Sequence, residues 1–233
     1  MTKNSQARRV FVAGDSHAKI FSHRAFEVAF PDVFFESGAV SGATISGFRN
    51  PNSETQALPI IRRRLDLTTA RLVISMFGEI DTGFVIWYRA KKYGFSVSLM
   101  LEETLGQYKA FLEELHERGH AVLCISTPLP TIPDGCDFGV VANARSSISG
   151  SQVERTELTR SFNRSMQEYC HKRDFGYLML DELSVGSDGL VDDGLRNSDP
   201  SDHHYHPDRY AELLVAELRR FGMAERGVYD VFL

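Results

Sequence analysis

The stretch VFVAGDSHAKIF, residues 10–21, joins an apolar run to the start of a helical pattern through Gly14-Asp15-Ser16-His17. A short β-branched and aromatic run that a glycine closes is typical of a buried strand. The serine therefore lies at the exit of the predicted first strand and at the beginning of a helix. Backbone N–H groups and the positive end of a helix dipole favour an anion at this place. The stretch predicts a strand–turn–helix unit with a serine hydroxyl at the turn.

Short apolar runs continue to alternate with longer amphipathic segments along the rest of the chain. Strands are predicted at 10–13, 33–36, 72–77, 121–126 and 176–180. Helices are predicted at 18–30, 54–67, 99–118, 152–173 and 207–221. This alternation is typical of a parallel sheet covered by helices on both faces. We expect one domain over residues 1–233, a flavodoxin-like three-layer α/β/α fold around a five-stranded parallel sheet.

Composition narrows the class of protein. Hydrophobic residues make up 42% and charged residues 24%, as in ordinary globular proteins. The net charge of -5 disfavours nucleic acid as a partner. No apolar stretch approaches the roughly 18–20 residues of a membrane span, and the polar N-terminus lacks the apolar core of a signal peptide. The three cysteines are widely spaced and match neither a disulfide framework nor a zinc site. We expect a cytoplasmic protein with no membrane partner; the sequence leaves its oligomeric state open.

Two segments do not fit the alternation. Residues 82–97 are rich in aromatic side chains and follow the third predicted strand, and residues 128–150 carry several prolines and follow the fourth. Ligands of parallel sheets bind beyond the carboxyl ends of the strands. We therefore expect both segments to be insertions or loops near a site, where Trp87 and Tyr88 could stack on a sugar or bury an acyl chain. The alternatives are an excursion packed on its own core and a partner interface.

Ser16 has two interpretations from its position alone. Serine is a preferred helix N-cap, which would make its role structural. A serine at this turn can also attack a carbonyl carbon while its own N–H group stabilises the developing oxyanion.

Four blocks, in order along nearly the whole chain, resemble the SGNH (GDSL-type) hydrolase family. Gly14-Asp15-Ser16 resembles the first block, residues 37–44 (SGAVSGAT) the second, and residues 199–208 the last. Residues 78–81, GEID, stand where the family has Gly-x-Asn-Asp. The resemblance implies the SGNH hydrolase fold and a serine esterase. The order of the blocks makes the match more specific than any block alone.

The resemblance implies an oxyanion hole made by the N–H groups of Ser16 and Gly42. The family's oxyanion asparagine falls on Ile80, which has no hydrogen-bond donor, and losing one such donor costs about 10²–10³ in rate. Three alternatives follow: the two N–H groups suffice, another side chain replaces the amide, or the protein no longer hydrolyses anything. Asp81 is interpreted as structural, holding its turn through backbone N–H groups. The predicted substrate-binding residues are Gly78, Glu79, Trp87 and Tyr88.

Three histidines and two aspartates supply the candidate base and acid in residues 199–206. The family spacing Asp-x-x-His is absent. His204 fits best, because a proline follows three residues later and a tyrosine six residues later. A paired carboxylate would raise the pKa of the base somewhat above about 6.5. We predict Ser16, His204 and Asp202 as catalytic residues, with His206 and His203 as alternative bases and Asp199 as the alternative acid.

The same histidines raise the question of a metal, because neutral imidazoles suit zinc or nickel. Adjacent residues such as His203 and His204 point apart in most backbone conformations. His17, as the neighbour of Ser16, is expected to diverge from it and to serve in packing or support. We therefore predict no metal and no cofactor.

The sequence thus favours a serine esterase that hydrolyses small acyl esters, with acetylated carbohydrate as a substrate class. Two alternatives use the same cleft. Ile80 motivates a catalytically weakened module that binds a glycan or acyl ligand. Acyl transfer to a sugar would need the same three catalytic groups and a cleft that favours an alcohol over water.

Overall fold

A computed structural model describes residues 7–135, 150–199 and 201–223. Within these residues, five strands form one sheet in the order β2-β1-β3-β4-β5, and all four pairings are parallel. This is the flavodoxin-like strand order. The predicted five-stranded parallel α/β fold is confirmed. The strands are β1 (Arg8–Gly14), β2 (Val33–Ala39), β3 (Leu72–Met76), β4 (Ala121–Ile125) and β5 (Gly176–Leu178).

Helices connect these strands and cover both faces of the sheet. A 3₁₀ helix (Ser16–Ser22) and α1 (Arg24–Ala29) follow β1, and α2 (Ala57–Leu65) follows β2. A π-helical turn (Asp81–Val85), α3 (Ile86–Tyr93) and α4 (Val97–Glu117) follow β3. The described part of the chain further contains α5 (Gln152–Lys172), α6 (Asp181–Ser184), a 3₁₀ turn (Asp193–Leu195) and α7 (Pro207–Arg220).

The alternation of side chains along β1 shows how the layers form. Val10 and Val12 lie in a buried cluster with residues of the first 3₁₀ helix, α1 and α7. Phe11 and Ala13 lie in a second buried cluster with residues of α2, α4 and α5. Successive side chains of a strand point to opposite faces, so a strand buried on both faces reads as a continuous apolar run. In the described part of the chain, no helix has the length and apolarity needed to cross a membrane.

Two predicted segments differ from the structure. The helix expected at 18–30 is two short helices, because His23 is extended (φ -70°, ψ 139°) and its ring caps α1 by accepting the Ala25 N–H. The segment 82–97, expected to be a loop or insertion, is mostly helical, and buried Ile86 and Ala90 pack it against α4. Of the other expected insertion, residues 136–149 lie outside the described residues, and so does Cys136.

The position of β1 in the sheet creates a crevice. β1 pairs with β2 on one side and with β3 on the other, so the connections beyond its carboxyl end diverge. A side chain at Gly14 would not fit there, because a Cβ atom would lie 2.4 Å from the Ala18 Cβ and 2.6 Å from the Met76 carbonyl oxygen. The absence of a side chain lets the 3₁₀ helix begin directly beside β3. Ser16 begins this helix at the crevice.

Candidate active site

Ser16 is the first residue of the 3₁₀ helix and does not cap it. The cap is Asp15, whose Oδ1 accepts the His17 N–H at 2.9 Å. The N-cap interpretation of Ser16 is therefore wrong. Since Asp15 satisfies the helix terminus, the Ser16 hydroxyl is left to contact another group.

That group is the imidazole of His204, which lies just before α7. Its Nε2 lies 2.8 Å from Ser16 Oγ, and its Nδ1 lies 2.6 Å from Asp202 Oδ1. The structure thus brings the three predicted catalytic residues into one hydrogen-bonded chain. A carboxylate on Nδ1 favours the tautomer whose Nε2 accepts a proton from the serine.

Asp202 is positioned from both sides of its carboxylate. Its Oδ1 contacts the His204 ring and also accepts the His204 backbone N–H at 2.9 Å. Its Oδ2 accepts the Asn197 side-chain N–H at 3.0 Å. Burial acts to raise the pKa of Asp202, but the hydrogen bonds from His204 lower it overall. The tight turn lets an aspartate two residues before the histidine orient it. Sequence reasoning missed Asn197, because one amide in a polar loop forms no pattern.

The alternative residues occupy other positions. Asp199 is exposed and accepts hydrogen bonds from the Ser201 N–H and hydroxyl at 2.8 and 2.7 Å. His206 is the residue before α7, and its backbone N–H donates to the Leu195 carbonyl at 2.8 Å. The His203 ring packs on the His204 ring, with centroids 4.1 Å apart. The structure therefore favours His204 and Asp202 over these alternatives.

The pKa of His204 is lowered from its ordinary value, so the expected raised pKa is wrong. Burial is the largest cause, followed by the neighbouring His17. Asp202 and Glu79 act in the opposite direction without compensating. The sequence pointed to the carboxylate partner but not to the desolvation of the ring. A lowered pKa keeps the imidazole neutral near pH 7, in the form that can accept a proton.

His17 is a buried neighbour of His204. Its Nδ1 lies 3.1 Å from Asp15 Oδ1, and its ring centroid lies 4.5 Å from that of His204. The expectation that His203 and His204 point apart is wrong, because their ring centroids lie 4.1 Å from each other. One ring nitrogen of each of the three histidines lies within 4.8 Å of the others. The turn that orients His204 also brings its neighbour His203 onto the same side.

The third block is built around a buried carboxylate. Asp81 accepts the Ile45 N–H at 2.8 Å, the Ser46 N–H at 3.1 Å and the Ser46 hydroxyl at 2.7 Å. Its predicted structural role is confirmed. Burial raises the pKa of Asp81 to about 6 despite these hydrogen bonds. The carboxylate ties the loop after β2 to the end of β3.

The other members of this block are less open to a ligand than predicted. Gly78 is buried with φ +119°, and a Cβ there would lie 2.6 Å from Thr127 Oγ1, so glycine is required for packing. Glu79 is also buried, and Ile80 is half-buried. Gly42 lies in the turn after β2 with φ +74°, a left-handed conformation that favours glycine.

A pocket of about 390 Å³ opens beside Ser16 and His204. Apolar and polar groups contribute to it, including Ile20, Lys19 and Tyr205. Among the residues that the structure describes, neither Trp87 nor Tyr88 lines this pocket. The indole N–H of Trp87 donates to the Thr82 carbonyl, and Tyr88 stacks on Phe84. Trp87 also lies against Gly150, where a Cβ atom would come within 2.7 Å of the indole ring. These aromatic side chains pack on neighbouring parts of the protein rather than on this pocket.

Comparison with known proteins identifies the fold. The chain is similar to a GDSL-like lipase from Bacteroides thetaiotaomicron, with 14% identity over 94% of this chain and 89% of the other, and a TM-score of 0.58. An acetyl xylan esterase matches with 10% identity, coverage of 91% and 98%, and a TM-score of 0.52. The psychrotrophic esterase EstA from Pseudoalteromonas sp. matches with 11% identity, coverage of 93% and 99%, and a TM-score of 0.52.

No family model matches the sequence, and no curated protein matches it. The likeness is therefore one of structure, at identities too low to carry more than the architecture. The sheet order, the serine after β1 and the histidine before α7 agree with it. The chain has the SGNH (GDSL-type) hydrolase fold.

Proposed function

We propose that the protein is a serine hydrolase that cleaves esters of small acyl groups. The observation that carries the proposal is the chain of hydrogen bonds from Ser16 Oγ through the His204 ring to Asp202, with distances of 2.8 and 2.6 Å. Its three groups supply a nucleophile, a base and an orienting carboxylate. The esterases and the lipase of the same fold support this chemistry.

The reaction would proceed in two halves. Ser16 Oγ attacks the carbonyl carbon while His204 Nε2 takes its proton, and Asp202 stabilises the imidazolium that forms. The tetrahedral intermediate collapses as His204 gives the proton to the leaving alcohol, which leaves an acyl group on Ser16. Water then repeats the sequence with His204 as base, and the acid product and free serine are released.

The oxyanion would be held by the N–H groups of Ser16 and Gly42. The Val40 N–H donates to the Gly14 carbonyl at 2.9 Å, which keeps the loop that contains Gly42 beside the end of β1. Ile80 contributes no third donor, so we expect a slower reaction than a three-donor hole supports. This same residue is the observation that favours the second candidate, a weakened module that binds an acyl or glycan ligand.

The pocket indicates the size of the substrate. A volume of about 390 Å³ suits a small molecule rather than a polymer surface. The acetyl xylan esterase of the same fold supports an acetylated carbohydrate as the substrate class. Transfer to a sugar would follow the same steps, with a sugar hydroxyl in place of water in the second half.

Hydrolysis of p-nitrophenyl acetate by Ser16→Ala tests the proposal. We expect turnover to fall at least about 10³-fold, because the nucleophile is lost. Ser22→Ala is the matched control, since Ser22 ends the same 3₁₀ helix and lines the same pocket. We expect this control to stay within a few-fold of the parent. Parent-like turnover by Ser16→Ala would overturn the proposal, and an inactive parent that binds the ester would favour the weakened module.

A further inference from the structure

Three imidazoles converge at the floor of the site, and the ester mechanism uses only one of them. His17 follows Ser16 in the 3₁₀ helix, whereas His203 and His204 come from the loop before α7. One nitrogen of each lies within 4.8 Å of the others. Tetrahedral zinc with Zn–N bonds of about 2.0–2.1 Å would bring such nitrogens to about 3.4 Å apart. Side-chain rotation would have to close a gap of up to about 1.4 Å.

In two of these rings, one nitrogen contacts a carboxylate, as is usual for histidines that bind a metal through the other nitrogen. His17 Nδ1 lies 3.1 Å from Asp15 Oδ1, and His204 Nδ1 lies 2.6 Å from Asp202 Oδ1. A carboxylate on one ring nitrogen fixes the tautomer and leaves the other nitrogen as the ligand atom. In that tautomer of both rings, Nε2 is the atom that would bind the metal, and in His204 it would exchange its contact with Ser16 Oγ for the ion.

The geometry points to a site for a divalent transition metal, with His17, His203 and His204 as its ligands. Zinc suits the site because it accepts imidazole nitrogen and imposes no geometry of its own through d electrons. Ser16 Oγ lies 2.8 Å from His204 Nε2, so the hydroxyl or a water molecule would complete four ligands. The carboxylates of Asp15 and Asp202 would balance part of the charge of the ion.

The metal would act as an inhibitor of the proposed reaction. His204 Nε2 is the atom that must take the proton of Ser16, and a metal ion on this atom occupies the same lone pair. Binding of the metal and catalysis would therefore exclude one another. This consequence rests on the proposed function, whereas the metal site itself does not.

Calorimetric titration of the protein with ZnCl₂, without a polyhistidine tag, tests the site. We expect one ion per chain in the parent and an affinity at least about tenfold weaker in His203→Gln and in His17→Gln. His206→Gln removes a histidine of the same loop outside the cluster, and its affinity should stay within about twofold of the parent. Equal zinc affinity in the parent and His203→Gln would overturn the site. His17 is buried and His203 is half-buried. If His17→Gln does not fold, the zinc affinity of His203→Gln alone tests the site.

Zinc titration of p-nitrophenyl acetate hydrolysis tests the consequence, with each rate divided by the zinc-free rate of the same variant. We expect the zinc concentration that half-inhibits the parent to lie near its calorimetric dissociation constant. The half-inhibitory zinc concentration of His203→Gln should be at least tenfold higher. Full activity of the zinc-saturated parent would overturn the competition at His204. A parent without esterase activity would contradict the proposed function, while calorimetry would still decide the metal site.

Discussion

The two ring nitrogens of His204 have different surroundings, and this difference is the basis of the proposed chemistry. Nε2 faces the Ser16 hydroxyl at 2.8 Å, and Nδ1 faces Asp202 at 2.6 Å. Burial and the adjacent His17 disfavour the charged ring, whereas Asp202 favours it. The net effect lowers the pKa of His204 and makes the neutral base the prevailing form at neutral pH.

The pH profile of kcat/KM follows from this balance. The base must be neutral, so activity should rise with pH through an apparent pKa below the ordinary value of about 6.5. Asp202→Asn should lower both the rate and this apparent pKa, because it removes a group that stabilises the imidazolium. Asp199→Asn, in the same loop, should leave the profile in place. A midpoint at or above 6.5 in the parent would show that the carboxylate outweighs burial.

Ile80 tests the composition of the oxyanion hole. If this residue occupies the place of a donor, Ile80→Asn should raise kcat for p-nitrophenyl acetate at least about tenfold, since one donor contributes about 10²–10³ in rate. Ile80→Leu, which changes shape without adding a donor, should give no increase. A folded Ile80→Asn variant with the rate of the parent would mean that the side chain does not reach the oxyanion.

At the scale of elements, the close approach of the first 3₁₀ helix to β3 places the serine. Sequence patterns predicted the strands well, because buried parallel strands are short continuous apolar runs. They did not predict the break at His23, where the ring caps α1 by accepting the Ala25 N–H. They also missed the helix within 82–97, because a segment rich in aromatic residues looks the same in sequence whether it lines a cleft or packs on itself. Both outcomes depend on how side chains pack in the folded chain, which the apolar pattern alone does not show.

Gly14→Ala tests this close approach. A Cβ atom 2.4 Å from the Ala18 Cβ and 2.6 Å from the Met76 carbonyl must displace the helix, so we expect a loss of about 1–3 kcal/mol in the free energy of unfolding. Gly106→Ala is the matched control, because Gly106 lies in α4 with no atom within 4 Å of a new Cβ. It should gain about 0.5–1 kcal/mol. Urea unfolding of both variants measures the difference, and equal stability of Gly14→Ala and the parent would contradict it.

At the scale of the whole molecule, the sheet gathers into one crevice residues that are far apart in sequence. Ser16 and His204 are separated by 188 positions and lie within hydrogen-bond distance. The order of the four blocks allowed this meeting to be predicted. The support of Asp202 by Asn197 and the close approach of the three imidazoles could not be predicted, because they depend on the path of one loop.

The fold also buries carboxyl groups away from the reacting serine, which makes stability depend on pH. Burial raises the pKa of Asp181 to about 6, although Asn163 donates a hydrogen bond to it at 2.7 Å. A raised pKa in the folded state contributes stability at low pH that is lost as the pH rises through about 6.

Asp181→Asn should therefore gain stability relative to the parent as the pH rises from 4 to 8, by on the order of 2 kcal/mol. The free energies of unfolding of the variant and the parent are compared at each pH. The pH dependence that His204 gives to both proteins therefore cancels. Asp32→Asn, at an exposed aspartate, should show no such gain. A difference between Asp181→Asn and the parent that stays constant with pH would mean that Asp181 ionises normally in the folded protein.

The central claim is that Ser16 is a nucleophile activated by His204, and labelling with a fluorophosphonate tests it most directly. In this reaction Oγ bonds to phosphorus, fluoride leaves, and His204 takes the proton. The esterase EstA, which has a similar fold, is known in a form inhibited by monoethylphosphonate. Mass spectrometry of the labelled peptides should find one adduct, on Ser16, with labelling at least about 10²-fold slower in His204→Gln and nearly unchanged in His206→Gln. An adduct on another residue, or equal labelling of the parent and His204→Gln, would contradict the account.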